Sequence, residues 1–213
     1  GKLSDSPKVG YVMACTTTFN GGGAEHAGDW LGESTWDSTT KIHVLGDKNW
    51  PNASSTFTVV GNKRRIATND LPTNHNTGIF PIARTDPAYT YDRNPNAVLE
   101  QDSSMLIDLN PVQSQNPSCA KMGAIGYMLN GVALYNGLDA AGRDAAAHEV
   151  QDSCDGHPER TGEYHYHNNS ACLAKDQGNN QLIGYALDGF GIFSNKDENG
   201  NSLKNEDLDE CHG

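Results

Sequence analysis

The chain has 213 residues, enough for one sizeable core, and a formal charge of −12. That charge excludes nucleic acid and anionic membrane surfaces as partners, because both demand a basic face. Hydrophobic residues are only 36% of the chain and no apolar run approaches the roughly 20 residues a bilayer span needs, so membrane insertion is excluded. With 23 glycines and many Asn, Asp, Ser and Thr, the composition predicts short strands, long loops and little helix. The expected fold is mainly β, a single disulfide-stabilised domain over residues 1–213, built as a sandwich or an irregular sheet. No signal peptide opens the chain, and Gly1 reads as a mature start.

Residues 9–15 read as a short strand ending in Cys15. Gly21-Gly22-Gly23 follows in a loop with no Lys-Ser/Thr after it and no strand-to-helix context, so it is not a phosphate cradle. Trp30, Trp36 and Trp50 lie close together and are read as loop-packing residues, with stacking on a sugar ring as the alternative. Alternation sharpens at Lys41-Ile-His-Val-Leu45. It continues through Thr56–Val60 and Arg64–Ala67, which flank Gly61-Asn62 and predict a hairpin. His75 then sits among Asn, Thr, Pro and Gly in a structured loop, outside any apolar stripe. Ser104–Leu109 reads as another strand.

The five cysteines are Cys15, Cys119, Cys154, Cys172 and Cys211. Cys154 and Cys172 flank one compact motif and are expected to pair, which leaves Cys15 for Cys119 and Cys211 alone. Asn52-Ala-Ser54 and Asn168-Asn-Ser170 are glycosylation sequons, in keeping with an exported protein.

An internal echo predicts a degenerate repeat spanning 125–157 and 183–213. Ile125-Gly-Tyr-Met-Leu-Asn-Gly131 recurs as Ile183-Gly-Tyr-Ala-Leu-Asp-Gly189. After a one-residue slip, Glu149, Asp152, Cys154 and Gly156 match Glu206, Asp209, Cys211 and Gly213. Only the first copy runs on into a histidine strand, so the second reads as truncated.

That strand carries the chemistry. In Tyr164-His165-Tyr166-His167 an extended backbone puts the two tyrosines on one face and the two histidines on the other, with histidine Cα atoms roughly 6.6 Å apart. This is a chelating pair. His157 follows Gly156 and precedes Pro158, in a turn that returns a third imidazole toward the first two. The ligand set predicted for a metal ion is His165, His167, His157 and His75, and neutral imidazoles suit copper or zinc. A Cys2His2 site using Cys154 and Cys172 is the alternative, and export favours the disulfide. Asn195, Asp197, Asn199 and Glu206, with Gly200 between, have the spacing of a calcium loop, against an ordinary Asn-Gly turn. His148-Glu149-Val-Gln-Asp152 is one residue away from H-E-x-x-H, the motif in which two ligands one helical turn apart hold zinc.

On the residues Asn69, Pro72, His75, Gly78, Phe80 and Pro81, then Gly126, Asn130-Gly131, Gly142-Arg143-Asp144, Ala147-His148-Glu149, Asp152-Ser-Cys154, Gly156-His157-Pro158, Gly162 and Tyr164–His167, and finally Gly184-Tyr185, Leu187-Asp188-Gly189 and Asp207–Cys211, the chain resembles the YHYH domain family over roughly residues 60–213. The resemblance implies an exported, histidine-rich domain and supplies no activity.

The expected function is that of an exported protein, secreted, periplasmic or cell-surface, whose imidazole cluster holds copper or zinc. One alternative is a metal-dependent hydrolase on the same ligands, with Glu149 or Glu163 as base. Another is an extracellular adhesion or assembly module with a glycan or protein partner, in which cations and disulfides only stiffen the fold.

Overall fold

The computed structural model describes residues 2–170, 172–173 and 181–212. The fold is mainly β, with three sheets and, among the described residues, one α-helical turn. Strands β1 (Leu3–Ser4) and β2 (Val12–Met13) form a two-residue parallel pair, shorter than the strand read at 9–15. Disulfide Cys15–Cys119 ties the end of this segment to the loop before the main sheet.

The predicted hairpin is present. β3 (Ser55–Val60) and β4 (Lys63–Thr68) pair antiparallel from Ser55↔Thr68 to Val60↔Lys63, joined by Gly61-Asn62. Gly61 adopts φ 62°, the left-handed value that a two-residue hairpin turn requires of its first residue. β5 (Ser103–Asp108) adds to the far side of β4, giving the order β3-β4-β5. The alternating Lys41–Leu45 segment makes only an isolated bridge, Val44 to Asp152, because it runs through a loop-rich layer with no neighbouring strand to extend it.

The main sheet is built from β6 (Ala124–Met128), β7 (Ala133–Tyr135), β8 (Gly156–Pro158), β9 (Tyr164–Tyr166), β10 (Leu182–Ala186) and β11 (Gly191–Phe193), in the order β11-β10-β6-β7-β9-β8. Helix α1 (Ala145–His148) lies between β7 and β8 and is capped by the Asp144 side chain, which accepts from Ala147 N. The β6–β7 and β10–β11 turns are alike: Gly131 N donates to Met128 O as Gly189 N does to Ala186 O. All neighbours are antiparallel except β7 and β9, and that parallel pair sets Ala133 beside His165 and Leu134 beside Tyr166.

Three apolar clusters hold these layers together. Ile66 and Ile107 of the small sheet pack on Tyr127 and Ala133 of the large one. Tyr164, Tyr166, Met128, Val132 and Leu71 fill the space under the other face. Trp30, Val44, Ile82, Ala88 and Val150 form a core beneath the loops. The three tryptophans pack rather than stand free: Trp30 donates its indole N–H to Ala147 O, Trp50 donates to Thr77 Oγ1, and Trp36 lies against the loop core. No helix among the described residues is long and apolar enough to cross a membrane.

Candidate metal centre

The site is assembled by the β8–β9 hairpin. Its antiparallel register places His157 directly across from His165, and their rings lie 4.6 Å apart. This cross-strand pairing, rather than a bend of the Gly156–Pro158 turn, is what brings in the third imidazole. His165 and His167 project from one face of the strand. Tyr164 and Tyr166 project from the other and are fully buried. The alternation expected of an extended Tyr-His-Tyr-His segment is therefore realised.

The tyrosine face is anchored by its own polar partners. Tyr164 donates its hydroxyl to Asp152, which also accepts from the backbone N–H groups of Gly78, Cys154 and Gly156. Asp152 thus fixes the entry into β8, so the segment His148–Asp152 does not act as a metal-binding helix. The helix stops at His148 after one turn, and Glu149 and Asp152 point to different tasks.

His75 lies on this tyrosine face, and the structure does not bring it to the other three histidines. Its Nε2 is 2.5 Å from Tyr166 Oη and its Nδ1 is 2.7 Å from Asn76 O. The cause is strand geometry: residues 164 and 166 face away from 165 and 167, and the loop carrying His75 covers the tyrosine side. His75, Cys154 and Cys172 do converge there, but the two cysteines are joined as a disulfide, so no thiolate is offered.

On the histidine face the donor atoms of His157, His165 and His167 all lie within 4.8 Å of one another. His165 Nδ1 donates to Glu163 O at 3.0 Å, and His167 Nδ1 donates to Asn136 O at 2.6 Å. A backbone carbonyl can only accept, so both rings are held as the Nδ1–H tautomer and both Nε2 atoms are left as lone pairs. Those two Nε2 atoms face each other at 3.1 Å. Protons do not fill the gap at neutral pH. Burial pushes His165 and His157 well below the ordinary imidazole value and His167 down to about 4.

His157 has no hydrogen-bond partner for either ring nitrogen. Glu149 Oε2 is the remaining buried atom of the cluster without one, 3.5 Å from His157 Nε2 and 3.4 Å from His167 Nε2. Burial, with Asp139 and Asp92 nearby, raises the Glu149 carboxyl to about 8. Three of the five unpartnered buried side-chain atoms of the described residues belong to this one cluster. Buried polar atoms are ordinarily satisfied, and here both nitrogens of one imidazole and a carboxyl oxygen are left open side by side.

Tyr135 completes the surround. Its ring stacks on His165 with centroids 3.8 Å apart and planes 19° from parallel, and its hydroxyl donates to Glu163 Oε2 at 2.5 Å. Glu163 therefore holds His165 twice, through its carbonyl and through Tyr135. A cavity of about 300 Å³ opens onto the three histidines, Glu149 and Tyr135. Glu163 is not among the residues that line it. The Gly21–Gly23 loop runs over the cluster, with Gly23 on the cavity wall and all three glycines at positive φ. Neither that loop's position nor the carbonyls of Asn136 and Glu163 has a signature in the residue pattern.

The calcium-loop spacing falls in a turn that is held by its own groups. Asp197 accepts from the N–H groups of Asn199 and Asn201 and from the Asn201 side chain, while Glu206 lies 3.9 Å from Lys204. This is the arrangement of an Asn-Gly turn.

The family model described as YHYH protein matches residues 104–212, which contain all three clustered histidines and Glu149. His75 and the other first-half residues of the resemblance lie outside that match. No curated protein and no solved structure matches the chain. The family match spans more than half of the sequence and includes Tyr164-His165-Tyr166-His167 itself, and the chain belongs to the YHYH family.

Proposed function

We propose that this is an exported metal-binding protein in which His157, His165 and His167 hold one copper or zinc ion, for handling, display or structural use of the ion. The observation that carries the reading is the pair of tautomer-locked imidazoles. Two lone pairs held at 3.1 Å with no proton between them repel, and a bound cation turns that repulsion into attraction. The spacing agrees: ligands about 2.0–2.1 Å from a tetrahedral ion lie about 3.3 Å from one another. Such an ion would supply Lewis acidity, or one-electron chemistry in the case of copper. Two disulfides support export.

Elemental analysis by plasma mass spectrometry, on protein purified from its native source and on chelator-treated protein offered copper or zinc, tests the proposal. One equivalent is expected in the natural chain, and its loss in the His165→Ala/His167→Ala double variant. A full equivalent retained by the double variant contradicts the ligand set.

The cavity favours a second reading, a metal-dependent hydrolase on the same ligands, because it gives a small substrate access to the histidines. Ester or peptide hydrolysis abolished by chelator and restored by zinc is the expected result on that reading. Zinc-loaded protein inert toward both classes contradicts it.

A further inference from the structure

We infer that Glu149 is itself a ligand, so that the centre is a three-imidazole, one-carboxylate site for a divalent ion, which takes an exogenous ligand from the cavity by expanding from four- to five-coordination. The inference rests on the proposed histidine site and adds to it the identity of the fourth donor and the class of ion.

Glu149 Oε2 lies 3.4 Å from His167 Nε2 and 3.5 Å from His157 Nε2. These match the separation of about 3.3 Å between neighbouring ligands of one tetrahedral ion. The His165–His167 separation of 3.1 Å belongs to the same set. Oε2 stands at ligand spacing from two of the three imidazoles, His157 and His167, and it is buried with no hydrogen-bond partner.

The backbone delivers the carboxylate to that place. Glu149 is the first residue past α1, and its N–H is tied to Ala145 O at 3.0 Å, so the side chain leaves the helix end at a fixed point. Above it runs Gly23, where an added Cβ would come within 3.0 Å of Glu149 Oε1 and 3.2 Å of Glu149 Cγ. Arg143, which shares this corner, is already committed to Asp139 at 2.7 Å and to Gly22 O at 3.2 Å. It offers Oε2 no hydrogen bond.

The added oxygen donor narrows the choice of ion. Three neutral imidazoles alone accept Cu(I) as readily as a divalent ion. A carboxylate is a hard, anionic donor that disfavours Cu(I) and suits Zn(II), Cu(II), Mn(II), Fe(II) or Co(II). Tyr135, Leu138, Pro158 and the three histidines are among the residues lining the cavity beside the site, through which a small exogenous ligand can approach.

The test loads the full chain with Co(II) and compares the natural protein with the Glu149→Gln and Gly23→Ala variants. Gln is isosteric and spares the fold a buried carboxylate, so an unfolding midpoint at or above that of the natural protein is expected for Glu149→Gln. Its Co(II) dissociation constant should rise about tenfold or more, with a changed visible spectrum. Gly23→Ala should weaken binding by a smaller factor through the displaced carboxylate. Azide added to the cobalt protein should shift the spectrum as the ion expands to five-coordination. Glu149→Gln binding one equivalent with unchanged affinity and spectrum overturns the ligand assignment and leaves the histidine site standing. A natural protein that binds no Co(II), Zn(II) or Cu(II) overturns the histidine site itself. An azide-insensitive spectrum overturns the expansion to five-coordination alone.

Discussion

Asp70 shows how much unfavourable electrostatics the surroundings of the site carry. It follows β4 with φ 59°, is fully buried, accepts from Ser103 Oγ at 2.8 Å, and has one oxygen with no geometric hydrogen bond. Burial first, and Glu163 beside it, raise its carboxyl to about 7. Because the folded value lies above the unfolded one, this proton's contribution to stability is complete below about pH 3.8 and is lost as pH rises through 7. Asp70→Asn replaces the shared proton with an amide that tolerates the left-handed backbone. The natural protein should lose on the order of 3 kcal/mol relative to this variant between pH 4 and pH 8, read from urea melts at both values. Parallel pH profiles for the two proteins would contradict the assignment. At this scale the sequence is readable where side chains alone decide. His157, His165 and His167 stand out by alternation and turn residues. The tautomers of His165 and His167 do not, because they depend on the carbonyls of Glu163 and Asn136, and every residue has a carbonyl. His75 lies apart from these three, on the tyrosine face; composition shows that it lies in no apolar stripe but not which face of β9 its loop covers.

The decisive element is the β8–β9 hairpin, and its tolerance for side chains is narrow. A Cβ at Gly156 would fall 2.1 Å from Tyr164 Cζ and 2.3 Å from its hydroxyl. Tyr164 cannot give way, since Asp152 holds it while also organising the turn. Gly156→Ala should cost about 3 kcal/mol or more and abolish metal binding together with the hairpin. Gly137→Ala, where a Cβ meets open space, should change neither unfolding midpoint nor metal content. Equal effects of the two substitutions would show that the hairpin does not depend on this contact. The disulfide Cys154–Cys172 closes the same unit across 18 residues. Replacing both cysteines with serine should lower stability by about 3 kcal/mol, measured by chemical denaturation. Period-two alternation made β3, β4 and β5 visible in the sequence, and Ile-Gly-Tyr marked β6 and β10. Lys41–Leu45 carried the same signal without forming a strand, because alternation states a preference and a strand also needs a paired edge. The near-match to H-E-x-x-H failed for a related reason: α1 ends after one turn, so residues 148 and 152 never share a helical face.

At the scale of the whole molecule, the acidic, glycine-rich composition was sufficient for the fold class but silent on topology. The parallel pairing of β7 with β9 in an otherwise antiparallel sheet is a long-range choice. It puts Tyr135 on His165 and the Asn136 carbonyl against His167. The cysteine pattern was legible because Cys154 and Cys172 flank one compact motif, which leaves Cys15 for Cys119, and both pairs are present. Titration of the unfolded, unreduced chain should therefore find one thiol, that of Cys211; three or more would contradict the pairing. Around this frame three of the five buried, unpartnered side-chain atoms of the described residues gather at one point, where the sheet, the helix end and the glycine loop meet. The claim that this point is a metal centre is tested most directly by an anomalous-scattering map from crystals equilibrated with zinc and recorded at the zinc edge. One peak about 2.1 Å from the Nε2 atoms of His157, His165 and His167 is the predicted result. No peak there, or density only beside His75 and the Cys154–Cys172 disulfide, would contradict it.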